Sequence, residues 1–165
     1  MRVFIGISLE TLALNRVIKL QEGLAKTGLR GNFTAKSNIH VTLEFLGEEN
    51  SERIEKIKEI IDKVDFSEFA LKITKLKSLK EMVILEVEKD PSLCALQGNL
   101  RNELRNNHFR VDDRPYYPHI TLVREAKIDF VKDLSIESKV NKITLFSSDR
   151  INNRLVYTPI YEREI

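Results

Sequence analysis

Two short stretches of this chain carry the same chemistry. Asn38-Ile39-His40-Val41-Thr42-Leu43 and Pro118-His119-Ile120-Thr121-Leu122-Val123-Arg124 both read His-apolar-Thr-Leu, and they lie about half the 165-residue chain apart. Such a spacing is what two similar half-domains give if each contributes one copy. In a strand, successive side chains point to opposite faces, so His40 and Thr42 share one face while Val41 and Leu43 share the other. His119 and Thr121 are paired in the same way, with Ile120 and Leu122 behind them. The apolar members anchor each strand to a core, which leaves two imidazole–hydroxyl pairs free to meet across a shared cleft.

Imidazole titrates near pH 6.5, so at neutral pH one histidine can accept a proton while the other donates one. Two such groups on opposite sides of a phosphate suit in-line displacement at phosphorus. One deprotonates the attacking water, the other protonates the departing oxygen, and the threonine hydroxyls hold the non-bridging oxygens. This scheme asks for no metal. Zinc sites generally want three or four His, Cys or carboxylate ligands, and near the motifs only Glu44, Asp112 and Asp113 offer themselves, with strand parity turning Glu44 towards the cleft. The third histidine, His108, has no matching threonine and fits an exposed helix end.

The elements that must position these strands follow from periodicity. Phe4–Leu9 has the length and branched content of a buried strand. Leu14, Val17, Ile18, Leu24 and Ala25 recur at helical spacing over Thr11–Lys26, and Gly28 stops the helix. The first motif strand is expected over Asn38–Leu46, ended by Gly47. Asn50 or Ser51 caps a helix over Ser51–Val64, and Phe69–Leu76 with Met82–Val87 forms a hairpin turning near Lys80. Asp90-Pro91 opens a third helix that runs to Asn106. The second motif strand follows the Pro115–Pro118 segment, then a short helix over Asp129–Leu134, then two closing strands, Lys142–Phe146 and Leu155–Thr158, joined by a turn rich in Asn and Arg. The expected fold is therefore α+β, with two similar lobes and one motif strand in each.

Composition sets outer bounds. Hydrophobic residues make up 42% and charged residues 32%, enough for a core, and the length fits one domain over residues 1–165. With a net charge of +2, a nucleic-acid partner would have to be met by local basic groups such as Arg30, Lys36, Arg110, Arg114, Arg150 and Arg154. The single Cys94 excludes an internal disulfide and suits a reducing, cytoplasmic setting. The apolar run Phe4–Leu9 is broken by Glu10 too early for a signal peptide, and no run approaches the roughly 20 residues of a membrane span.

The paired motifs resemble those of the two-histidine phosphoesterases, in particular their RNA 2′,3′-cyclic phosphodiesterase (2′-5′ RNA ligase-like) branch. The opening Met1–Ile7, the run Asn38–Gly47 and Pro118–Arg124 carry the resemblance along nearly the whole chain. It implies a bilobal fold, with antiparallel-rich sheets, helices on their outer faces and an active-site groove between the lobes. It also implies roles: His40 as the acid that protonates the ribose 3′ oxygen, His119 as the base that activates water, and a 2′-phosphomonoester as product. Arg124, five positions after His119, matches an arginine that contacts the phosphate. Phe45, five after His40, matches an aromatic that stacks on the base, although strict alternation would put it on the core side. Tyr116 and Tyr117 can either stack on a base or pack beside the prolines.

The expected activity is metal-independent and cofactor-free hydrolysis of 2′,3′-cyclic phosphate ends of RNA or oligonucleotides by a monomer, with 2′–5′ RNA ligation as a side activity. Two alternatives stand beside it. The same chemistry could serve a small cyclic nucleotide such as ADP-ribose 1″,2″-cyclic phosphate, or the chain could be a non-catalytic module that binds RNA ends.

Overall fold

The apolar faces read from the sequence are satisfied by two antiparallel sheets with helices against their outer sides. A computed structural model describes residues 1–165. In chain order it has β1 (Arg2–Ile7), α1 (Thr11–Lys26), β2 (Asn32–Phe33), a 3-10 turn (Lys36–Asn38), β3 (Val41–Glu48), α2 (Ser51–Lys63), β4 (Phe69–Leu79), β5 (Met82–Val87), α3 (Pro91–Asn106), β6 (His119–Arg124), β7 (Lys132–Val140), β8 (Lys142–Ile151) and β9 (Arg154–Glu164). One sheet has the order β3-β1-β8-β9 and the other β2-β6-β5-β4-β7. Each motif strand thus lies in a different sheet, and β3 and β6 approach one another between the lobes.

The helices begin where their caps require. The Asn50 side chain accepts from Arg53 N–H at the start of α2, and Asp90 accepts from Ser92 and Leu93 N–H at the start of α3, with Pro91 in the first turn; each satisfies donors that the helix itself leaves open. Buried residues of all three helices join Val3, Ile5, Ile7, Val41, Leu43, Ile120 and Leu122 in one continuous apolar core. Phe4, Phe146 and Ile84 are buried as well, but they lie outside that core. They mark the other side of the sheets, the inner face shared with the motif histidines.

Three expectations change. The segment expected as a short helix over Asp129–Leu134 is extended and leads into β7, because Ile136, Ser138 and Val140 alternate inward as the outer strand beside β4. The strand expected from Asn38 starts only at Val41. Asn38 is instead held in the 3-10 turn, its side chain donating to Leu155 O and accepting from Tyr157 N–H. The closing strands are longer than expected, since Asn152 and Asn153 both adopt positive φ and make a tight two-residue turn. No helix is long and apolar enough to cross a membrane.

Candidate functional site

The pairing registers decide which side chains meet in the groove. Along β3, Thr42 pairs with Gly6, Glu44 with Ile5 and Phe45 with Phe4, so Leu43 has no partner of its own. Along β6, Thr121 pairs with Ile84, Val123 with Val83 and Arg124 with Met82, so Leu122 is skipped. Each motif leucine is a β-bulge, and a bulge reverses the alternation of everything after it. This resolves the parity difficulty at Phe45. An odd offset from His40 would face the core in a regular strand, but after the bulge Phe45 returns to the histidine side, 65% exposed, with its ring 5.8 Å from Phe4. Arg124 is turned to the side of His119 and Thr121 by the same device.

The bulge also corrects the expectation for Glu44. Instead of facing the cleft, it is 2% exposed on the helix side, where Gln97 Nε2 and Arg101 Nε of α3 donate to it at 2.9 and 2.6 Å. Burial pushes its carboxyl up, against the opposing pull of Arg101. No group of three or more His, Cys, Asp or Glu side chains is gathered where a metal could sit.

The two histidines are held alike at one nitrogen. His40 Nδ1 lies 2.7 Å from Asn38 O, and His119 Nδ1 lies 2.8 Å from Tyr117 O. A carbonyl only accepts, so each Nδ1 carries the hydrogen, which leaves Nε2 as the nitrogen that exchanges protons. Beyond that point they differ. His40 Nε2 is 2.8 Å from Thr42 Oγ1, and its ring sits among Phe4 (4.9 Å), Tyr157 (5.2 Å, edge-on) and Phe146 (6.1 Å). Burial in this aromatic box lowers its pKa to about 4; the Asn38 carbonyl opposes the shift, and the charges of Arg124 and His119 add to it. Both charges belong to the second motif strand, β6, which approaches β3. His119 has no hydroxyl at Nε2 but stacks on Tyr117, ring centroids 5.5 Å apart.

Hydrogen bonds also tie each motif to the segment that precedes the other, the first set continuing the β2–β6 ladder within one sheet and the second crossing from the approach of β6 to β3. The segment before the first motif donates to the second: Thr34 Oγ1 to Thr121 O at 2.8 Å, with Thr34 N–H and Gln21 Nε2 both donating to the bulged Leu122 O. The segment before the second motif donates to the first, Tyr116 OH to Thr42 O at 2.8 Å. Tyr116 and Tyr117 are thus tied to protein groups, and burial raises both phenols. His108 follows the Asn107 C-cap of α3 at positive φ, its N–H donating to Arg105 O, and Arg114 is taken up by Asp112.

His40, Thr42 and Phe45 therefore share one face of β3, His119, Thr121 and Arg124 share one face of β6, and the two strands approach one another between the sheets. Residue patterning missed Tyr157, Phe4 and Phe146, which come from distant strands, and the cross-links through Thr34 and Tyr116. One signal was available. The carbonyl that holds each histidine belongs to the residue two before it, so the duplication extends back to Asn38 and Tyr117.

Comparison with known proteins finds a family model described as "LigT like Phosphoesterase" that matches twice, over residues 10–83 and 85–157, one motif in each match. A Thermotoga maritima protein named RNA 2′,3′-cyclic phosphodiesterase is 28% identical, the alignment covering 98% of this chain and 94% of the relative. A Methanocaldococcus jannaschii protein of the same name is 28% identical over 98% and 99% of the two chains. Among solved structures, Escherichia coli LigT complexed with 3′-AMP superposes with a TM-score of 0.84 at 26% identity, covering 99% of this chain and 97% of that one.

Proposed function

The chain belongs to the LigT-like phosphoesterase family, and from that premise we propose that it is a phosphodiesterase opening 2′,3′-cyclic phosphates at RNA ends to 2′-phosphomonoesters. The observation that carries the proposal is the pair of histidines, each with Nδ1 committed to a backbone carbonyl and Nε2 left for proton exchange. Water attacks phosphorus opposite the 3′ oxygen as His119 Nε2 takes its proton. The P–O3′ bond breaks and His40 Nε2 delivers a proton to the 3′ oxygen. Thr42 and Thr121 bond the non-bridging oxygens, and Arg124 balances the charge that neutral hydroxyls cannot.

With its pKa lowered to about 4, His40 is neutral in the ligand-free protein at pH 7, and Thr42 then donates its hydroxyl hydrogen to Nε2. To serve as the acid, His40 must gain its proton as the anionic phosphate arrives, a role that favours phosphate over neutral esters. Phe45 stands exposed beside Phe4 and supplies a face for the terminal base. Both histidines come from one copy, so a monomer suffices, and residues 1–165 act as one bilobal unit around a shared core. The same ring opening with a ribose 5′ hydroxyl in place of water, forming P–O5′ as P–O3′ breaks, would give 2′–5′ ligation.

Phosphorus NMR on a cyclic-phosphate oligonucleotide tests the proposal. The expected result is conversion to the 2′-phosphate in the presence of EDTA, lost in His40→Ala and in His119→Ala. Exclusive formation of 3′-phosphate would overturn the leaving-oxygen assignment, and binding without turnover would favour an RNA-end binding module. A larger specificity constant for a cyclic sugar phosphate than for the oligonucleotide would favour the small-molecule alternative.

A further inference from the structure

The two histidines do not share the same second restraint. A single Nδ1–H···O bond leaves the imidazole free to rotate about the bond axis, so a second contact must set the ring plane. For His40 that contact is Thr42 Oγ1 at Nε2, inside the aromatic box. The residue that supplies its carbonyl, Asn38, is itself locked to β9 through both side-chain polar atoms. His119 has no hydroxyl at Nε2, and its second contact is the Tyr117 ring at an interplanar angle of 28°. Tyr117 therefore supplies both restraints, carbonyl and stack.

What locks Tyr117 is a carboxylate on the neighbouring strand. Glu86 pairs directly with His119 across β5 and β6, and its Oε2 accepts the Tyr117 hydroxyl at 2.9 Å. Lys77 Nζ on β4 lies 3.7 Å from the same oxygen, a half-exposed pair that orients the carboxylate more than it stabilises it. Pro118 restricts Tyr117 to extended backbone, and Pro118 O accepts from Val87 N–H. The Tyr117 side chain and the carbonyl of the next residue, Pro118, are thus both tied to β5.

We infer that Glu86 is a positioning residue for the second motif: by holding the Tyr117 hydroxyl it fixes the ring that stacks on His119 and the carbonyl that holds His119 Nδ1–H. Asn38 fills the same place for His40, anchored to β9 where Tyr117 is anchored to β5. Glu86 bonds the Tyr117 hydroxyl rather than His119, and its effect reaches the chemistry through the orientation of one imidazole. This rests on the phosphodiesterase proposal only for its kinetic readout.

The experiment compares Glu86→Ala, Glu86→Gln, Tyr117→Phe and the Glu86→Ala/Tyr117→Phe double variant. Each single loss of the hydrogen bond should lower kcat about 10-fold, the scale of a small misplacement of a reacting group, with KM within about 2-fold. The double variant should fall no further than either single one, because both remove the same bond. Glu86→Gln, whose amide oxygen still accepts from the hydroxyl, should recover most of the loss. In parallel, the imidazole Nδ1–H proton of His119, observed by NMR in the ligand-free protein, should be sharp in wild type and Glu86→Gln and broadened by exchange in Glu86→Ala.

Additive losses, a change confined to KM, or Glu86→Gln as impaired as Glu86→Ala would overturn the inference. So would an unchanged His119 proton signal in Glu86→Ala. If wild type opens no cyclic phosphate, the proposed function fails, while the NMR comparison still decides the role of Glu86.

Discussion

Leu43 and Leu122 occupy equivalent places in the two halves: each follows the motif threonine, each is buried, and each is the residue that its strand's partner skips. The leucine is therefore more than a core anchor. As the extra residue of a bulge, it converts a five-residue offset from a core-facing to a groove-facing position. Phe45 and Arg124 are the two side chains delivered in this way. One lobe thereby presents an aromatic ring and the other a cation.

The proposed phosphate contact of Arg124 can be tested directly. Arg124→Gln should reduce kcat/KM by about 100-fold, the order found for removing one transition-state donor, and steady-state kinetics on a 2′,3′-cyclic nucleotide would measure it. Arg124→Lys should recover only part of the loss, because an ammonium lacks the planar fork. A Cβ at Gly31 would lie 2.7 Å from Arg124 O and 2.8 Å from Val123 Cγ1, so Gly31→Ala must displace β6. A lower kcat, from the shifted His119 and Arg124, is the expected result.

How much of this was legible beforehand depends on the range of the interaction. Helices α1, α2 and α3 follow from local periodicity and caps, and both motif strands follow from alternation, so the histidines and threonines could be placed from the chain alone. Parity arguments failed at Glu44 because a bulge is a property of the strand pair: it is set by Ile5 and Gly6 opposite, nearly forty residues away in sequence. β7 was missed for a similar reason. Its polar Asp133, Glu137 and Lys139 blur the inward alternation, which becomes visible only once β4 pairs with it. Tyr157 comes from the last strand, and no local pattern connects it to His40.

The crossed hydroxyl bonds, Thr34 to Thr121 O and Tyr116 to Thr42 O, tie each motif to the approach of the other. Tyr116→Phe removes one donor to the part-buried Thr42 carbonyl, at a cost of about 1 kcal/mol. Thr34→Val should cost about 1 kcal/mol. Urea denaturation would show both as lower midpoints with unchanged slope. Because they bridge different pairs of segments, their effects should add.

The ion pair behind the first motif is asymmetric in its response to substitution. Arg101→Met leaves the buried Glu44 carboxylate without its guanidinium and also frees Arg114 O, which Arg101 Nη1 now holds at 3.0 Å; the expected destabilisation is about 3 kcal/mol at pH 7. Glu44→Gln removes the charge but keeps an acceptor, and should change stability by less than about 1 kcal/mol. The pH dependence separates the two. Burial raises the Glu44 carboxyl, so the folded state holds that proton more readily than the unfolded chain. The resulting stabilisation is present in acid and lost as pH rises through the folded value, and Glu44→Gln should abolish that component of a stability–pH curve.

His40 makes the opposite contribution. Its pKa falls from the ordinary 6.5 to about 4 on folding, so between those values the unfolded chain binds a proton that the native state does not. Stability from this group is fully present above about pH 6.5 and declines as pH falls towards 4. Between pH 7 and pH 5 the loss should be about 2 kcal/mol. Comparing urea midpoints of wild type and His40→Gln at the two pH values isolates it, since carboxylates and other histidines contribute to both proteins. An equal loss in the variant would remove His40 as its source.

The same lowered pKa sets a condition on the proposed mechanism, in which His40 protonates the 3′ oxygen and must therefore carry a proton. The substrate must raise it. A phosphate charge about 4 Å from the imidazole at an effective dielectric of 20 is worth roughly 4 kcal/mol, enough after screening to move the midpoint by more than about one pH unit. Following His40 by NMR should therefore show a midpoint near 4 in the free protein and a clearly higher one with a bound 2′-nucleotide, the proposed product. The Thr42 hydroxyl would then reverse its role and accept from the protonated Nε2, or turn to a phosphate oxygen. Should the midpoint stay in place with the nucleotide bound, His40 would not carry the proton to the leaving oxygen, and the acid would have to be sought at His119, with the attacking water on the opposite side of phosphorus.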